Sequence, residues 1–289
     1  MVITVAGWRC CRNLPFIDLT KRAMAVEIKN AEEIEKMRAT CRLAASVLEF
    51  IEPYVKPGVS TGKLNKLCHD YIMDHGAYPS PLNYKGFPKS ICTSINEVVC
   101  HGIPNDKQIL RDGDIVNLDI TTTLDGYFGD CSDMFAVGEI SETARKLIEV
   151  TRECLWLGIR EVAPRKRLGD IGASIYEYAA GRHGYGVVEV FCGHGIGREF
   201  HMAPQVSHVG RRGTGRRMKA GMTFTIEPMI NLGTPDCEIL DDGWTAVTLD
   251  HRLSAQAEHT ILVTKQGFEV LTLRKGGYIP AGLNLDAAS

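Results

Sequence analysis

The order of local patterns is the tightest constraint in this sequence: two helical segments, then antiparallel strands, and then the same order again. Asn30 with Glu33 three residues on forms a capping-box pattern. Ile34, Met37, Cys41, Ala44, Val47, Leu48 and Ile51 then recur at helical spacing until Pro53. Ser60 or Thr61 opens a second helix, with Leu64, Leu67, Tyr71 and Ile72 on one face and Gly76 at its end. After a loop rich in proline and aromatic residues (78–88), residues 114–120 and 127–137 read as two strands. Asp125-Gly126 between them is the dipeptide best suited to a two-residue hairpin turn. Ser141 caps a third helix carrying Leu147, Ile148, Cys154 and Leu155. Beyond Pro164 a fourth carries Leu168, Ile171, Ile175 and Tyr178 up to Gly181. Further strands are expected at residues 187–192, 222–229 and 257–264. Helices segregated from antiparallel strands make this an α+β chain. The repeated order predicts two similar halves around one shared sheet, with no low-complexity linker between them.

Composition serves mainly to exclude. A net charge of −2 gives no global basic field that calls for specific nucleic acid or an acidic membrane surface. No apolar run approaches the roughly 20 residues needed to span a bilayer. The ten cysteines are irregularly spaced, several in apolar contexts (Cys41, Cys68, Cys154), and none forms a CxxC pair. They read as small buried hydrophobes in a reducing cytoplasm, neither a disulfide framework nor a zinc knuckle. Residues 1–23 lack the pattern of a secretory signal; they read as a leader or dispensable arm, with Met24 as the expected start and 24–289 as one domain. The run Arg211-Arg212-Gly213-Thr214-Gly215-Arg216-Arg217 reads as a solvated basic loop that could meet an anionic partner.

The chemistry concentrates on strand faces. With Asp125-Gly126 as the turn, Asp119 falls opposite Ser132 and on the same face as Asp130, about 7–8 Å away at the backbone. Alternation puts Glu227 with Thr223 and Thr225, and Glu258 with Gln256 and Thr260. An outer solvated face usually mixes signs, whereas these faces carry carboxylates without lysine or arginine. His194 lies between glycines in Gly193-His194-Gly195-Ile196-Gly197, with His201 seven residues further on. The run fails the dinucleotide-binding pattern because Arg198 stands where a third glycine is needed. Four carboxylates gathered together would repel and shift one another's pKa values unless cations were present. Two divalent ions resolve that, and oxygen donors with one imidazole suit Mn, Fe, Co or Zn. Such a centre hydrolyses an amide or ester.

Read as whole motifs, the chain resembles the bacterial type I methionine aminopeptidases from about Met24 to Pro280. The resemblance rests on Ser94-Ile-Asn-Glu-Val-Val-Cys-His101-Gly-Ile-Pro104, Asp112-Gly-Asp-Ile-Val-Asn-Leu-Asp119 and Gly126-Tyr-Phe-Gly-Asp130. It continues in Cys192-Gly-His194-Gly-Ile-Gly-Arg-Glu-Phe-His201, Gly221-Met-Thr-Phe-Thr-Ile-Glu227-Pro and Ser254-Ala-Gln-Ala-Glu258-His-Thr. It implies a pita-bread fold of two pseudo-symmetric halves around one curved sheet. It also implies a dinuclear centre held by Asp119, Asp130, His194, Glu227 and Glu258, in which Asp130 and Glu258 bridge the ions and Glu227 shuttles the proton of the attacking water. His201 would meet the scissile carbonyl and His101 the scissile amide. Tyr84, Phe87, Cys92, Phe200 and Trp244 would surround the methionine side chain, a sensible setting for a polarizable thioether. Asn96, Val98 and Ser254 match positions that can hold one monovalent cation.

The activity so implied is removal of the initiator methionine from N-terminal Met peptides and nascent chains, with a small second residue preferred. A monomer and contact with the ribosome go with it. Only 25 residues separate His201 from Glu227, which leaves no room for the large insertion of the type II class. Two rival readings stand beside this one. An Xaa-Pro dipeptidase or aminopeptidase would use a similar metal set on the same fold, and an inactive paralogue would serve as a binding platform. Other hydrolase patterns are absent: there is no HExxH and no GxSxG, and Gly58-Val-Ser-Thr-Gly-Lys63 is one residue short of a P-loop.

Overall fold

The computed structural model describes residues 25–283. The leader (1–23), the expected start at Met24, and Cys10 and Cys11 lie outside the described residues. The first half contains α1 (Ala31–Ile51), α2 (Thr61–Asp74), β1 (Tyr78–Pro79), β2 (Cys92–Ile95), β3 (Val98–Cys100), β4 (Ile115–Leu124) and β5 (Tyr127–Ala136). The second begins with α3 (Glu142–Arg160) and α4 (Leu168–Tyr176), followed by β6 (Gly186–Val187), β7 (Gly193–Gly195) and β8 (Met202–Val206). It continues through β9 (Thr223–Ile226), β10 (Met229–Asn231), β11 (Cys237–Ile239), β12 (Ala246–Thr248), β13 (Ser254–Gln256), β14 (His259–Val263) and β15 (Phe268–Val270). Helix, helix, strands, twice over, is the order the sequence led us to expect.

Helix starts sit where short polar side chains satisfy orphan amides. The Asn30 side chain accepts from Glu33 N while the Glu33 carboxylate accepts from Asn30 N. Ser60 and Ser141 cap α2 and α3 in the same way. Asp125 (φ 50°) and Gly126 (φ 76°) are two successive left-handed residues, the pairing that suits the right-handed twist of a tight hairpin. That turn fixes the β4–β5 register, with Asp119 opposite Ser132 and Thr121 opposite Asp130.

The strands form four ladders: β1-β4-β2 with β5 against β4; β13-β10-β6; β11-β12-β3; and β15-β14-β9-β7-β8. The two halves meet at a bridge between Ser132 and Glu258, whose amide donates to the Ser132 carbonyl at 3.0 Å. Each half has its own core. Val116, Leu118 and Ile120 pack with Leu48, Leu64 and Ile72 in the first. Trp156, Ile159 and Ile171 pack with Phe224, Ile226 and Ile261 in the second.

Three expected strands differ in their limits, and each difference bears on the site. Residues 187–192 are not one buried strand: only Gly186–Val187 is paired, and Val190 is 61% exposed. The ladder instead runs through Gly193–Gly195, because only glycine fits so close to neighbouring backbone. A Cβ on Gly193 would lie 2.3 Å from the Thr225 carbonyl oxygen, and one on Gly195 2.2 Å from that of Ala203. The strand expected over 222–229 divides at Glu227-Pro228, and that over 257–264 begins only at His259. The divisions coincide. Ile226 pairs with His259 and Met229 with Gln256, so the register carries across both gaps and sets Glu227 opposite Glu258.

Helix α1 lies directly on β5 at Gly129, where an added Cβ would come within 2.6 Å of Cys41 N. Gly129→Val should therefore overpack this contact and cost about 1–3 kcal/mol, lowering the urea midpoint; an unchanged midpoint would show that α1 does not rest on the β5 backbone.

Candidate active site

Asp119 and Asp130 project from the hairpin, Glu227 and Glu258 from the paired strand gaps, and His194 from the glycine-flanked strand β7. All five therefore converge on the inner face of the sheet. Asp130, His194 and Glu258 are 4%, 7% and 2% exposed, and each offers a ligand atom within 4.8 Å of the others. His194 Nε2 stands 3.7 Å from Asp130 Oδ2 and 3.6 Å from Glu227 Oε1. Its Nδ1 faces the Gly195 carbonyl oxygen at 3.1 Å. A carbonyl only accepts, so Nδ1 carries the proton and Nε2 turns its lone pair toward the carboxylates.

Hydroxyls orient the acids from behind. Thr121 Oγ1 donates to Asp130 Oδ1 and Thr225 Oγ1 to Glu227 Oε1, both at 2.7 Å. Thr225 Oγ1 also accepts from His194 N at 3.0 Å. Glu258 Oε1 is buried with no hydrogen-bond partner. Among the described residues, none of the four acids is paired with lysine or arginine.

The electrostatics follow from that arrangement. Burial first, and then repulsion from Asp119, push Asp130 well above the ordinary carboxylate range. Burial and then Asp130 do the same to Glu258. Burial raises Asp119 to about 7 and Glu227 to about 8. It lowers His194 to about 4, which keeps the imidazole neutral and its Nε2 open as a ligand. An orphaned carboxylate oxygen on Glu258, crowded carboxyls beside it and a free imidazole nitrogen facing a common space are what a divalent cation requires. The residues present fit the metal that the sequence led us to expect.

His101 and His201 flank this cluster. His101 is held at φ 57°, a strained angle for a non-glycine residue. It lies edge-on to Phe191 at 5.5 Å and to Trp244 at 6.3 Å. Burial lowers it to about 4, so it too is neutral. His201 lies 4.1 Å from the His194 ring and stacks on Tyr84, whose hydroxyl is 2.9 Å from His201 Nδ1. Of the residues expected around the methionine side chain, Tyr84 packs on Phe200 at 4.8 Å and Phe87 on Trp244 at 5.2 Å. Cys92 stands opposite Asp119 in the β2–β4 register, its thiol held protonated by burial.

Sequence reasoning did not single out Phe191, which abuts His101, or Phe128, which stacks on Phe200 at 5.6 Å. Phe128 lies inside a quoted motif and Phe191 in the expected strand 187–192, but neither local sequence gives a sign of which ring it will touch. Asn96 and Ser254 do come together: the Asn96 carbonyl accepts from Ser254 N at 2.8 Å. Ser254 Oγ and Asn231 Oδ1 are buried without partners beside them. Val98 is opposite Val247 on the adjoining strand.

The basic run is partly neutralised within the fold, since Arg212 pairs with Glu161 and Glu177. Arg211, Arg216 and Arg217 remain exposed. No disulfide links the eight cysteines among the described residues. No helix among those residues is long and apolar enough to cross a membrane.

Comparison with known proteins agrees with this geometry. Residues 35–265 match the profile of metallopeptidase family M24. The chain is 54% identical over 264 residues to the methionine aminopeptidase of Escherichia coli (strain K12), covering 91% of this chain and all of that protein. The crystal structure of methionine aminopeptidase from Rickettsia prowazekii superposes with a TM-score of 0.85 at 54% identity, covering 86% of this chain and 100% of the other. An Xaa-Pro dipeptidase from Bacillus anthracis reaches 0.68 at 25% identity, and only 63% of that chain is covered.

One consequence is measurable without substrate. Between about pH 6.5 and 8 the raised site carboxyls keep more protons on the metal-free folded chain than on the unfolded one. The buried histidines act in the opposite sense, but unfolded histidines are half protonated at about pH 6.5 and largely neutral by about pH 7.5, so that contribution fades as pH rises. Stability should fall as pH rises through that window, and added Mn²⁺ or Co²⁺ should recover it, more at pH 8 than at pH 6.5. A calorimetric metal effect that is the same at both pH values would contradict this.

Proposed function

Because the chain belongs to metallopeptidase family M24, with its methionine aminopeptidases, we propose that Asp119, Asp130, His194, Glu227 and Glu258 hold two divalent ions (Mn, Fe, Co or Zn) for removal of N-terminal methionine. In this reading Asp130 and Glu258, the most deeply buried of the acids, would hold the ions together with His194. The observation that carries it is the convergence of four acids, Asp130 and Glu258 fully buried, on His194 Nε2, with no lysine or arginine among the described residues paired to them. When bound, the ions polarise the scissile carbonyl and ease deprotonation of the attacking water.

The chain's own groups do the rest. Glu227, oriented by Thr225 and Gln256, takes the water proton and passes it to the departing amine nitrogen. His201 supports the carbonyl oxygen as negative charge grows there. For His201 Nε2 to donate, its Nδ1 must accept the proton of the Tyr84 hydroxyl, so Tyr84 sets the tautomer. His101 meets the scissile amide from the opposite side. Tyr84, Phe87, Cys92, Phe200 and Trp244 exclude water and hold the methionine thioether, while a narrow neighbouring space favours a small second residue.

Residues 24–289 act as one catalytic domain, a monomer of the cytoplasm. Asn96, Val98 and Ser254 hold one monovalent cation, supported by the unpartnered Ser254 Oγ. Contact with a translating ribosome would fall on the exposed arginines Arg211, Arg216 and Arg217. The Xaa-Pro reading has less support, because the chain spans all of the methionine-specific relatives but under two thirds of the dipeptidase.

Hydrolysis of Met-Ala-Ser against Xaa-Pro peptides, by stripped and Mn- or Co-loaded protein, tests the assignment: metal-dependent release of methionine alone is expected, and cleavage only before proline would overturn it. Glu227→Ala should lose about 10²–10⁴-fold in turnover, and His201→Ala should lower kcat more than it raises KM. Tyr84→Phe keeps the ring and loses only the hydroxyl, so it should lower kcat about tenfold with KM nearly unchanged; wild-type kcat in that variant would refute the tautomer role.

A further inference from the structure

Lys29 is the charged group that this mechanism leaves unused. It is 4% exposed, although a lysine is long enough to carry its head to water. Burying an ammonium costs several kcal/mol unless it is paired, and a methionine would fill the same volume. Among the described residues the head meets one carboxylate, Glu27 at 3.1 Å, and the thioether sulfur of Met202 at 3.9 Å.

Its position is set from both ends. Lys29 N donates to the Gly221 carbonyl at 2.8 Å, just before β9. At the far end the ammonium stands against Gly197: a Cβ there would lie 2.5 Å from Nζ and 2.6 Å from Cε. Gly197 opens the turn between β7 and β8, and Met202 closes it. The residues in between include Phe200 and His201. The turn's remaining ties at Gly197 are backbone bonds, Phe128 N to the Gly197 carbonyl at 2.9 Å and Gly197 N to Glu199 at 3.2 Å. The Lys29 head therefore touches both ends of the segment that presents a pocket aromatic and a carbonyl-facing imidazole.

We propose that Lys29 is a positioning residue: its buried ammonium, tied to Glu27, wedges between Gly197 and Met202 and fixes the turn that presents Phe200 and His201. This rests on the roles given above to those two residues. Displacement of a reacting group by about 1 Å costs on the order of a hundredfold in rate, so loss of the wedge acts through His201 without any contact between Lys29 and substrate.

The test compares Lys29→Met, Lys29→Ala, Gly197→Ala, the double variant Lys29→Ala/Gly197→Ala and, in parallel, His201→Ala. All are full-length and Mn-loaded, and kcat and KM for Met-Ala-Ser are measured with metal content and thermal midpoint. Both Lys29 variants should lose about ten- to a hundredfold in kcat with KM within a few-fold and metal content unchanged. Gly197→Ala should lose at least tenfold in the wild-type background, but less than twofold when Lys29 is already alanine. Full activity in Lys29→Met would show that volume alone suffices and would overturn the proposal, as would additive losses in the double variant. If His201→Ala keeps wild-type turnover, the assigned role of His201 fails; if it is impaired while Lys29→Ala is not, only the wedge fails. Should the Lys29 variants not fold, Glu27→Gln removes the same tie from its partly exposed end, with a several-fold loss in kcat expected and wild-type kcat contradicting it.

Discussion

Repulsion among four crowded carboxylates, two of them buried and two half-buried, governs this molecule. Asp119, Asp130, Glu227 and Glu258 face one space with a neutral imidazole, and no lysine or arginine among the described residues balances them. A fold could lower that cost by spreading the acids apart or by turning one outward. This one does neither. It brings two acids in on paired strands and two at matched strand gaps, and leaves Glu258 Oε1 buried without a partner. The arrangement makes physical sense with divalent cations in place, since their charge turns mutual repulsion into shared ligation.

The backbone makes that crowding possible through matched interruptions. Strands β9 and β14 pair, as do β10 and β13, and the register runs unbroken across the gap between them. At the gap Pro228 has no amide hydrogen to give to a ladder, and Glu258 N is diverted to Ser132 of the other half. Two carboxylates are thereby freed from ordinary sheet alternation and set opposite each other. The Asp125-Gly126 turn supplies the second pair by fixing β4 against β5. Glycines 193 and 195 let His194 approach between strands that would exclude any side chain in their place.

Much of this was legible locally. Capping residues, helical periodicity and one Asp-Gly dipeptide were enough to place four helices and the central hairpin, because each rests on contacts a few residues apart. The carboxylates stood out through what their strand faces lacked. Residues 187–192 misled because an apolar, β-branched run looks like a buried strand, whereas pairing was decided by backbone proximity at Gly193 and Gly195. The divisions at Glu227 and Glu258 were invisible because they depend on partners some thirty residues away. The Tyr84–His201 bond and the Lys29–Gly197 contact join residues more than a hundred positions apart, and nothing local announces them. Gly197 stands in the sequence only as one member of a glycine-rich run; in the fold it is room for an ammonium.

The most direct test of the account is to count and locate the ions. Anomalous diffraction from crystals of cobalt-loaded protein should show two peaks about 3.5–4 Å apart, set among Asp119, Asp130, His194, Glu227 and Glu258. A single peak at full occupancy, or peaks away from these five residues, would contradict the claim that the buried acids are there to hold a metal pair.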